Sequence, residues 1–508
     1  MKTIDAILNK ITMYRVVLYE LIGLLLAAGV LGFLGIMPYA PINLLFSVVY
    51  ITIICLIINK IFAWAYNAPS NPESTYITAL ILSLIITPAL SWSDPIFLAF
   101  AFWAASLAMA SKYILAIGKK HIFNPAALAV VMTAFALNFG ASWWIGTGAM
   151  MPFVAIGGFL VVRKIKRFDL VWAFLISALT AILFSTALHG GNIFTGLEKV
   201  FLSTPLLFFA SVMLTEPLTA PPTVSLQVVY GLLVGVLFSP AIHLGSIYST
   251  PELALILGNI FSYIVSPKKK LTLFLKNIQK ISTDSYDFIF TPDQQMPYQP
   301  GQYMEWTLGH RRSDSRGIRR YFTLASSPTE RELRLGVKFY EKGSSFKKKL
   351  LNMKKGESIV ASGLAGDFIL PKDKKKKLVF VAGGIGITPF RSQIQYLIDK
   401  QEARSVTLLY SNKTASDVAY KEVFDRAAQV FGLKTVYALT NSDANLSILP
   451  NSVRKIDAKT IIEQIPDYKE RTFYLSGPRS MVTNFEDILQ TLGLKKNQIK
   501  TDFFPGFA

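Results

Sequence analysis

Cysteine and histidine are almost missing from this chain of 508 residues, which has one cysteine, Cys55, and four histidines, His121, His189, His243 and His310. One thiolate can build no disulfide framework, zinc site or iron–sulfur cluster, so any cluster would have to come from a partner. The histidines fall at the ends of apolar segments or in the polar half, whereas a transmembrane b-type haem needs imidazoles from facing spans; a haem-based membrane reductase is therefore not expected. Charge is scarce too, but in one half only. Residues 1–266 hold 12 basic and 8 acidic side chains and residues 267–508 hold 40 and 24, so +16 of the net +20 lies in the second half. With 52% hydrophobic against 17% charged residues and a mean hydropathy of +0.41, the averages describe a chimera of a membrane domain and a basic soluble part.

Apolar stretches recur about ten times in the first half, near 14–35, 43–63, 75–91, 95–117, 125–139, 149–163, 168–188, 199–215, 225–241 and 251–266. Each is long enough to cross, or nearly cross, about 30 Å of hydrocarbon. Several are short and flanked by glycine or proline, as broken helices that meet near a midplane are. Lys2, Lys10 and Arg15 precede the first stretch, and Lys119–Lys120, Arg163–Arg167 and Lys268–Lys270 follow the fourth, sixth and tenth. The loops near 36–42, 91–95 and 139–149 have no Lys or Arg, so the positive-inside rule puts both ends of the domain in the cytoplasm, in the cytoplasmic membrane. The first stretch is too long for a cleavable signal peptide and more spans follow it. Ser74-Thr75 precedes Pro88, and Ser203-Thr204 precedes Pro217, at the same serine-to-proline distance of 14 residues. That match suggests two five-span halves related as inverted copies. Glu20, Lys60 and Lys112 are the only charges well inside the spans, all toward the cytoplasmic ends, and they give no support to ion pumping.

The run from Ser74 to Thr87-Pro88 and the stretch SKYILAIGKKHIFNPAALAVV, with Lys112, Gly118 and Asn124-Pro125-Ala126, resemble the D subunit of the Rnf complex and the B subunit of sodium-translocating NADH:quinone reductase. LSTPLLFFASVMLTEPLTAPPT, with Thr215-Glu216-Pro217, resembles the later family motif, usually Thr-Asp-Pro. The resemblance covers most of residues 1–266 and implies a flavin inside the membrane, with Asn124, Ser203 and Thr204 as candidate contacts. In the family a threonine of a Ser-Gly-Ala-Thr element anchors FMN covalently; here Ser203-Thr204-Pro205-Leu206 stands there, and Leu206 has no hydroxyl. The resemblance therefore implies a non-covalent FMN or riboflavin, or none. Thr204 is either a displaced attachment point or an ordinary residue at a helix start.

After Ser266-Pro267 the pattern changes to short alternating runs such as KLTLFLKNIQKI, as in a small β-barrel spanning 267–372. From 373 to 508, strand-like runs (LVFVAGG, SVTLLYS, TVYAL, RTFYLSG) alternate with helical ones, the pattern of a parallel α/β nucleotide domain. PGQYMEW and RYFTLASSP resemble the flavin-binding signature of the ferredoxin–NADP reductase family. The resemblance implies Arg320 as a clamp on the FAD diphosphate, Tyr321 and Phe322 at the flavin, and Thr323 as a catalytic hydrogen-bonding partner near N5. Downstream, GVKFYEKGSSFKKKL adds Lys338 and the Gly343-Ser344-Ser345 turn, whose amides open a helix and suit a flavin phosphate.

A strand feeding a glycine turn and then a helix, Gly383-Gly384-Ile385-Gly386-Ile387-Thr388-Pro389, suits the pyrophosphate of a dinucleotide. Ser476-Gly477-Pro478 stands where the family has Cys-Gly-Pro beside the nicotinamide, and Ser476 can still orient the carboxamide. In the terminal DFFPGFA, Phe504 or Phe507 either covers the flavin or packs as a tail. No arginine pair follows Lys413 and no acid closes its strand, which leaves NAD(P)H with NADH preferred. The basic runs Lys347–Lys349 and Lys374–Lys377 suit either anionic membrane lipids or plain solubility, and nucleic-acid binding is not expected.

The expectation is a polytopic helical membrane domain followed by a barrel FAD domain and an α/β nucleotide domain. Electrons would pass from cytoplasmic NAD(P)H through FAD and a membrane flavin to an extracytoplasmic acceptor such as a flavoprotein. The alternatives are a one-flavin reductase of a quinone or other lipid-side acceptor, and a transporter coupled to the reductase.

Overall fold

The computed structural model describes residues 2–8, 11–66, 72–117, 120–266, 270–310, 313–314, 317–341, 343–441 and 444–502. It divides into two compact units, one running to Lys270 and the other starting at Leu271. Beyond a short N-terminal helix, Lys2–Leu8, the first unit is built from α1 (Met13–Phe33), α2 (Pro41–Ala65), α3 (Pro72–Ile85), α4 (Pro95–Ile114), α5 (Pro125–Leu137), α6 (Met151–Ile165), α7 (Phe168–Leu188), α8 (Ile193–Ser203), α9 (Leu206–Met213), α10 (Val224–Leu237) and α11 (Pro251–Val265).

Proline opens many of these helices, because its missing N–H is one that a first turn leaves unpaired anyway; Pro41, Pro95, Pro125 and Pro251 all stand there. Asp94 caps α4 by accepting from the Ile96 and Phe97 amides at 3.1 Å, and Asn124 caps α5 by accepting from Ala127 at 3.1 Å. Pro205 acts differently. It forces Thr204 into an extended backbone (φ −127°, ψ 154°), so α8 and α9 meet at an angle of 63°, and α9 ends in a π-turn over Phe209–Met213. Helix α10 lies close on α7 through Gly231 and Gly235: a Cβ there would fall 2.7 Å from the Leu170 carbonyl oxygen and 2.6 Å from that of Phe174. Small residues four apart bring apolar helices together in this way.

Helix length supports fewer full spans than ten. Among the described residues, α1, α2, α4 and α7 are long and apolar enough to cross a membrane, and the bent pair α8–α9 makes a fifth if counted as one span. Helices α3, α5, α6, α10 and α11 have 13 to 15 residues. At 1.5 Å per residue they reach at most about 22 Å, less than the ~30 Å hydrocarbon core.

The second unit begins with six antiparallel strands, β1 (Leu271–Lys280), β2 (Ser285–Pro292), β3 (Tyr303–Thr307), β4 (Arg319–Thr323), β5 (Leu333–Lys338) and β6 (Ser358–Ala365). Their order in the sheet is β4-β3-β6-β1-β2-β5. The sheet curls until Ala325, just past β4, donates to the Arg334 carbonyl on β5 at 3.0 Å. Trp306, Phe288 and Phe290 fill its core, with Phe346 of helix α12 (Ser345–Leu351).

A parallel sheet follows, built from β7 (Leu378–Gly383), β8 (Val406–Asn412), β9 (Lys434–Leu439), β10 (Ser452–Val453), β11 (Thr472–Ser476) and β12 (Ile499–Thr501), in the order β10-β9-β8-β7-β11-β12. Helices α13 (Thr388–Asp399), α14 (Lys421–Phe431), α15 (Ala458–Gln464) and α16 (Arg479–Thr491) accompany it. Every residue of the central strand β7 is buried, and a separate apolar core forms on each face of the sheet, as parallel sheets require.

Polar groups of α13 join this sheet to the barrel. Arg391 donates to the Ala325 carbonyl at 3.1 Å, Ser392 to that of Ser326 at 2.6 Å and Gln393 to that of Phe368 at 2.7 Å. Arg391 also forks onto Glu330, Arg334 pairs with Asp287 at 2.8 Å, and Tyr420 donates to Asp287 at 3.2 Å.

Candidate functional site

The period of two along β4 splits its residues between two faces. Arg320 and Phe322 share one face with Phe346, at 5.3 Å from guanidinium carbon to ring centroid and 6.0 Å between centroids. Tyr321 points the other way; its hydroxyl donates to Glu305 at 2.7 Å and its ring meets Tyr303 edge-on. Arg320 is buried and donates to the Gly317 and Arg319 carbonyls. Near it, the Asp314 carboxylate accepts the Ser345 amide at 2.9 Å and lies 3.7 Å from the Arg320 guanidinium. The donors are thus arranged around an anion, with Asp314 holding that place. Ser344 caps α12 by accepting from the Lys347 amide at 3.3 Å, and Gly343 lies just before it. Lys338, at the end of β5, is drawn to Asp284 at 2.8 Å.

The glycine turn sits at the carboxyl end of β7, beside the end of β11. A Cβ on Gly386 would fall 2.5 Å from the Ser476 carbonyl oxygen and 2.6 Å from the Gly477 nitrogen; one on Gly383 would meet Met481 at 2.4 Å and Pro478 at 3.0 Å. Gly383, Gly386 and Gly477 are therefore packed backbone against backbone, with the Pro478 ring against Gly383. Gly384 differs, with φ at +52° and open space where a Cβ would be, which leaves a cradle at the approach to α13. Pro389 lies in the first turn of that helix. Thr388 donates its hydroxyl to the Ile385 carbonyl at 3.2 Å and turns its methyl toward Gly336 of the barrel. The carboxyl ends of parallel strands are where such sheets bind ligands.

Between these two surfaces stands a residue that the sequence reading passed over. Asp502 follows β12; its amide donates to the Leu475 carbonyl at 2.9 Å and its carboxylate accepts from Ser476 Oγ at 3.0 Å. The Thr323 hydroxyl of the barrel is near enough to favour its charged form. Burial pushes this carboxyl up to about 6, while the Ser476 and Thr323 hydroxyls pull it back down. Thr323 and Ser476, from different domains, therefore meet on one titratable group. The available signal was an acid immediately before the terminal aromatic run. Phe504 and Phe507 lie outside the described residues.

In the first unit, the two motifs of the apolar half meet. Asn124 Nδ2 donates to Glu216 Oε2 at 2.9 Å across 92 residues of sequence, and the Asn124 amide donates to Asn259 Oδ1 at 2.8 Å. Thr219 donates to Glu216 at 3.1 Å, His121 Nε2 is 3.7 Å from it, and Asn259 donates to Tyr230 at 3.2 Å. Ser203 and Thr204 are not brought into this cluster. They sit at the α8–α9 break, where the Thr204 hydroxyl turns back to the Val200 carbonyl at 2.5 Å and Ser203 is exposed. The break packs instead on Gly146, whose Cβ would fall 2.6 Å from Pro205 N.

Residues 272–369 match the oxidoreductase FAD-binding domain and residues 380–487 the oxidoreductase NAD-binding domain. The second half of the chain is an NAD(P)H-dependent flavin oxidoreductase built from these two domains. A flavohemoprotein of Candida albicans is 30% identical over 211 residues, 40% of this chain and 50% of that protein. An NADPH oxidoreductase of Mycobacterium tuberculosis is 27% identical over 201 residues, 39% of this chain and 50% of its own length. The chain thus spans about half the length of the curated relatives it matches. Among solved structures, the flavohem-like FAD/NAD-binding domain of nitric oxide dioxygenase from Vibrio cholerae is 23% identical, with 46% of this chain and 98% of that one covered and a TM-score of 0.41.

The oxidoreductase half fits its two cofactors on its own geometry. Arg320 and the Ser345 amide are grouped around the Asp314 carboxylate, a donor set whose chemistry suits phosphate oxygens. The open Gly384 turn at the approach to α13 suits a nucleotide pyrophosphate.

Proposed function

We propose that the protein carries electrons from NAD(P)H at its cytoplasmic oxidoreductase half, through its apolar half, to an acceptor on the other side of the membrane. Bound FAD would supply hydride acceptance from NAD(P)H and release of electrons one at a time. The residues of this chain supply the rest. Arg320 and the Ser344–Ser345 turn hold the flavin diphosphate, and Phe322, half-buried on the Arg320 face, offers an aromatic surface. The Gly383–Gly386 turn holds the nicotinamide dinucleotide. Asp502, held by Thr323 and Ser476, keeps or gives up a proton near pH 6 at the seam between the two domains. That convergence is the single observation that carries the NAD(P)H–flavin reading, because it places one acid between a barrel strand and the nucleotide sheet.

The membrane step rests on a separate argument. A hydrocarbon core of about 30 Å is too thick for one efficient tunnelling step, so electrons that cross need an intramembrane carrier. One cysteine and four histidines offer no cluster or paired haem ligation. The Asn124–Glu216–Thr219 cluster, with His121 beside it, offers amide, carboxylate, hydroxyl and imidazole groups inside the helical unit. These match the carbonyls and imide N–H of a non-covalent FMN or riboflavin ring. Leu206, fully buried, has no hydroxyl for a covalent link.

The test is flavin stoichiometry on the purified full chain. More than one flavin per chain, all released by acid denaturation, is expected. A single flavin per chain overturns the relay in favour of a one-flavin reductase of a quinone or other lipid-side acceptor.

A further inference from the structure

Glu20 takes no part in the sites above. It lies on α1, and both of its carboxylate oxygens are buried with no hydrogen-bond partner among the described residues. Two glycines of α6 make room for it. A Cβ on Gly157 would fall 2.8 Å from Glu20 Cγ and 3.1 Å from its Oε1. One on Gly158 would fall 2.4 Å from Ser211 Oγ and 3.9 Å from Glu20 Oε1. The carboxyl and the Ser211 hydroxyl therefore border one recess, closed by α1, α6 and the π-turn of α9.

The charged groups on the elements packed round this recess are engaged elsewhere or stand at helix ends. Arg15 on α1 pairs with Glu73 of α3 at 3.2 Å, and Arg163 of α6 pairs with Asp5 at 2.7 Å. Lys164 of α6 has interactions of its own, Lys60 of α2 is exposed, and α9 carries no ionisable side chain. Tyr14 and Tyr19 are the other titratable groups of α1. Arg15 and Arg163 are thus paired with other carboxylates than Glu20.

Ser211, the hydroxyl bordering the recess, already donates to the Leu207 carbonyl at 2.7 Å, so it has no proton left to give a carboxylate there. An isolated carboxylate in apolar surroundings is also costly, and such groups neutralise instead.

We infer that Glu20 is a proton-binding site inside the apolar unit, a carboxylic acid that gains and loses its proton in the recess shared with Gly157, Gly158 and Ser211. This inference is independent of the membrane flavin and of the electron-transfer reading.

The full-length protein in liposomes, treated with dicyclohexylcarbodiimide, tests it. That apolar reagent attacks protonated carboxyls in apolar surroundings. Peptide mapping should find the adduct on Glu20 ahead of the exposed Glu198, and it should be lost in E20Q and reduced in G157A, where a methyl crowds the side chain. The infrared spectrum of the wild type should show a protonated-carboxyl band that shifts in heavy water and is missing from E20Q. Glu20 left unmodified in the wild type overturns the proposal, with no variant needed. So does an infrared spectrum unchanged by E20Q when the variant keeps wild-type helicity and NADH–ferricyanide activity.

Discussion

Asp502 gathers hydroxyls from two domains, and its substitution separates positioning from proton chemistry. The wild-type oxidoreductase should show an inflection near pH 6 in kcat/KM for NAD(P)H oxidation with ferricyanide, and D502N should lose it. S476A and T323A each remove a hydroxyl that favours the carboxylate, so their inflections should move to higher pH. Stability follows the same group. The folded carboxyl titrates near 6 rather than 3.8, so in that window the folded state holds a proton that the unfolded chain has released. Stability should therefore fall as pH rises from about 4 to 6, and D502N should flatten that segment of a denaturation series. Thr323 and Ser476 were readable because each sits in a local motif. Asp502 was not, because its partners are Ser476, 26 residues back, and a strand of another domain; no local pattern encodes that meeting. Asn124 and Glu216 were likewise readable one at a time, but their contact spans 92 residues and depends on how the helices pack.

Helices and strands carry the next set of consequences. The turn between β7 and α13 is pressed on the end of β11, so G386A places a methyl against the Ser476 carbonyl oxygen, at 2.5 Å before relaxation. The turn must shift, and kcat/KM for NAD(P)H should drop about tenfold or more, measured by steady-state kinetics with FAD content checked. Helix α13 also holds the barrel through Arg391, which is buried against Glu330 and the Ala325 carbonyl. R391A leaves Glu330 without its guanidinium fork and should lower the stability of the oxidoreductase half by about 3 kcal/mol in denaturant titration. At this scale the sequence was most informative about type and least about length. Alternating and continuous apolar runs marked the strands of both sheets. The ten apolar stretches all lie on helices, yet among the described residues only four helices are of full length, with one bent pair. Hydropathy registers composition, whereas the ends are set by backbone events. Pro205 breaks α8 from α9, and Asn138 and Lys166, at φ 57° and 52°, end α5 and α6 in the left-handed region.

Over the whole molecule, the uneven distribution of charge has a structural counterpart in the two compact units divided at Lys270/Leu271. Residues 271–508 expressed alone should fold, retain FAD and reduce ferricyanide with NADH at a rate close to that of the full chain. Loss of FAD from this fragment would show that the apolar half helps to hold it. The proton-binding role proposed for Glu20 would add proton chemistry to the apolar half. The most direct test of the central proposal uses the full chain in sealed vesicles, with the oxidoreductase half facing a compartment that holds NADH and a membrane-impermeant oxidant in the other. The expected result is reduction of that oxidant at a rate that depends on NADH and is lost in R320A together with its FAD. Oxidation of NADH with no reduction across the bilayer would contradict transmembrane electron transfer.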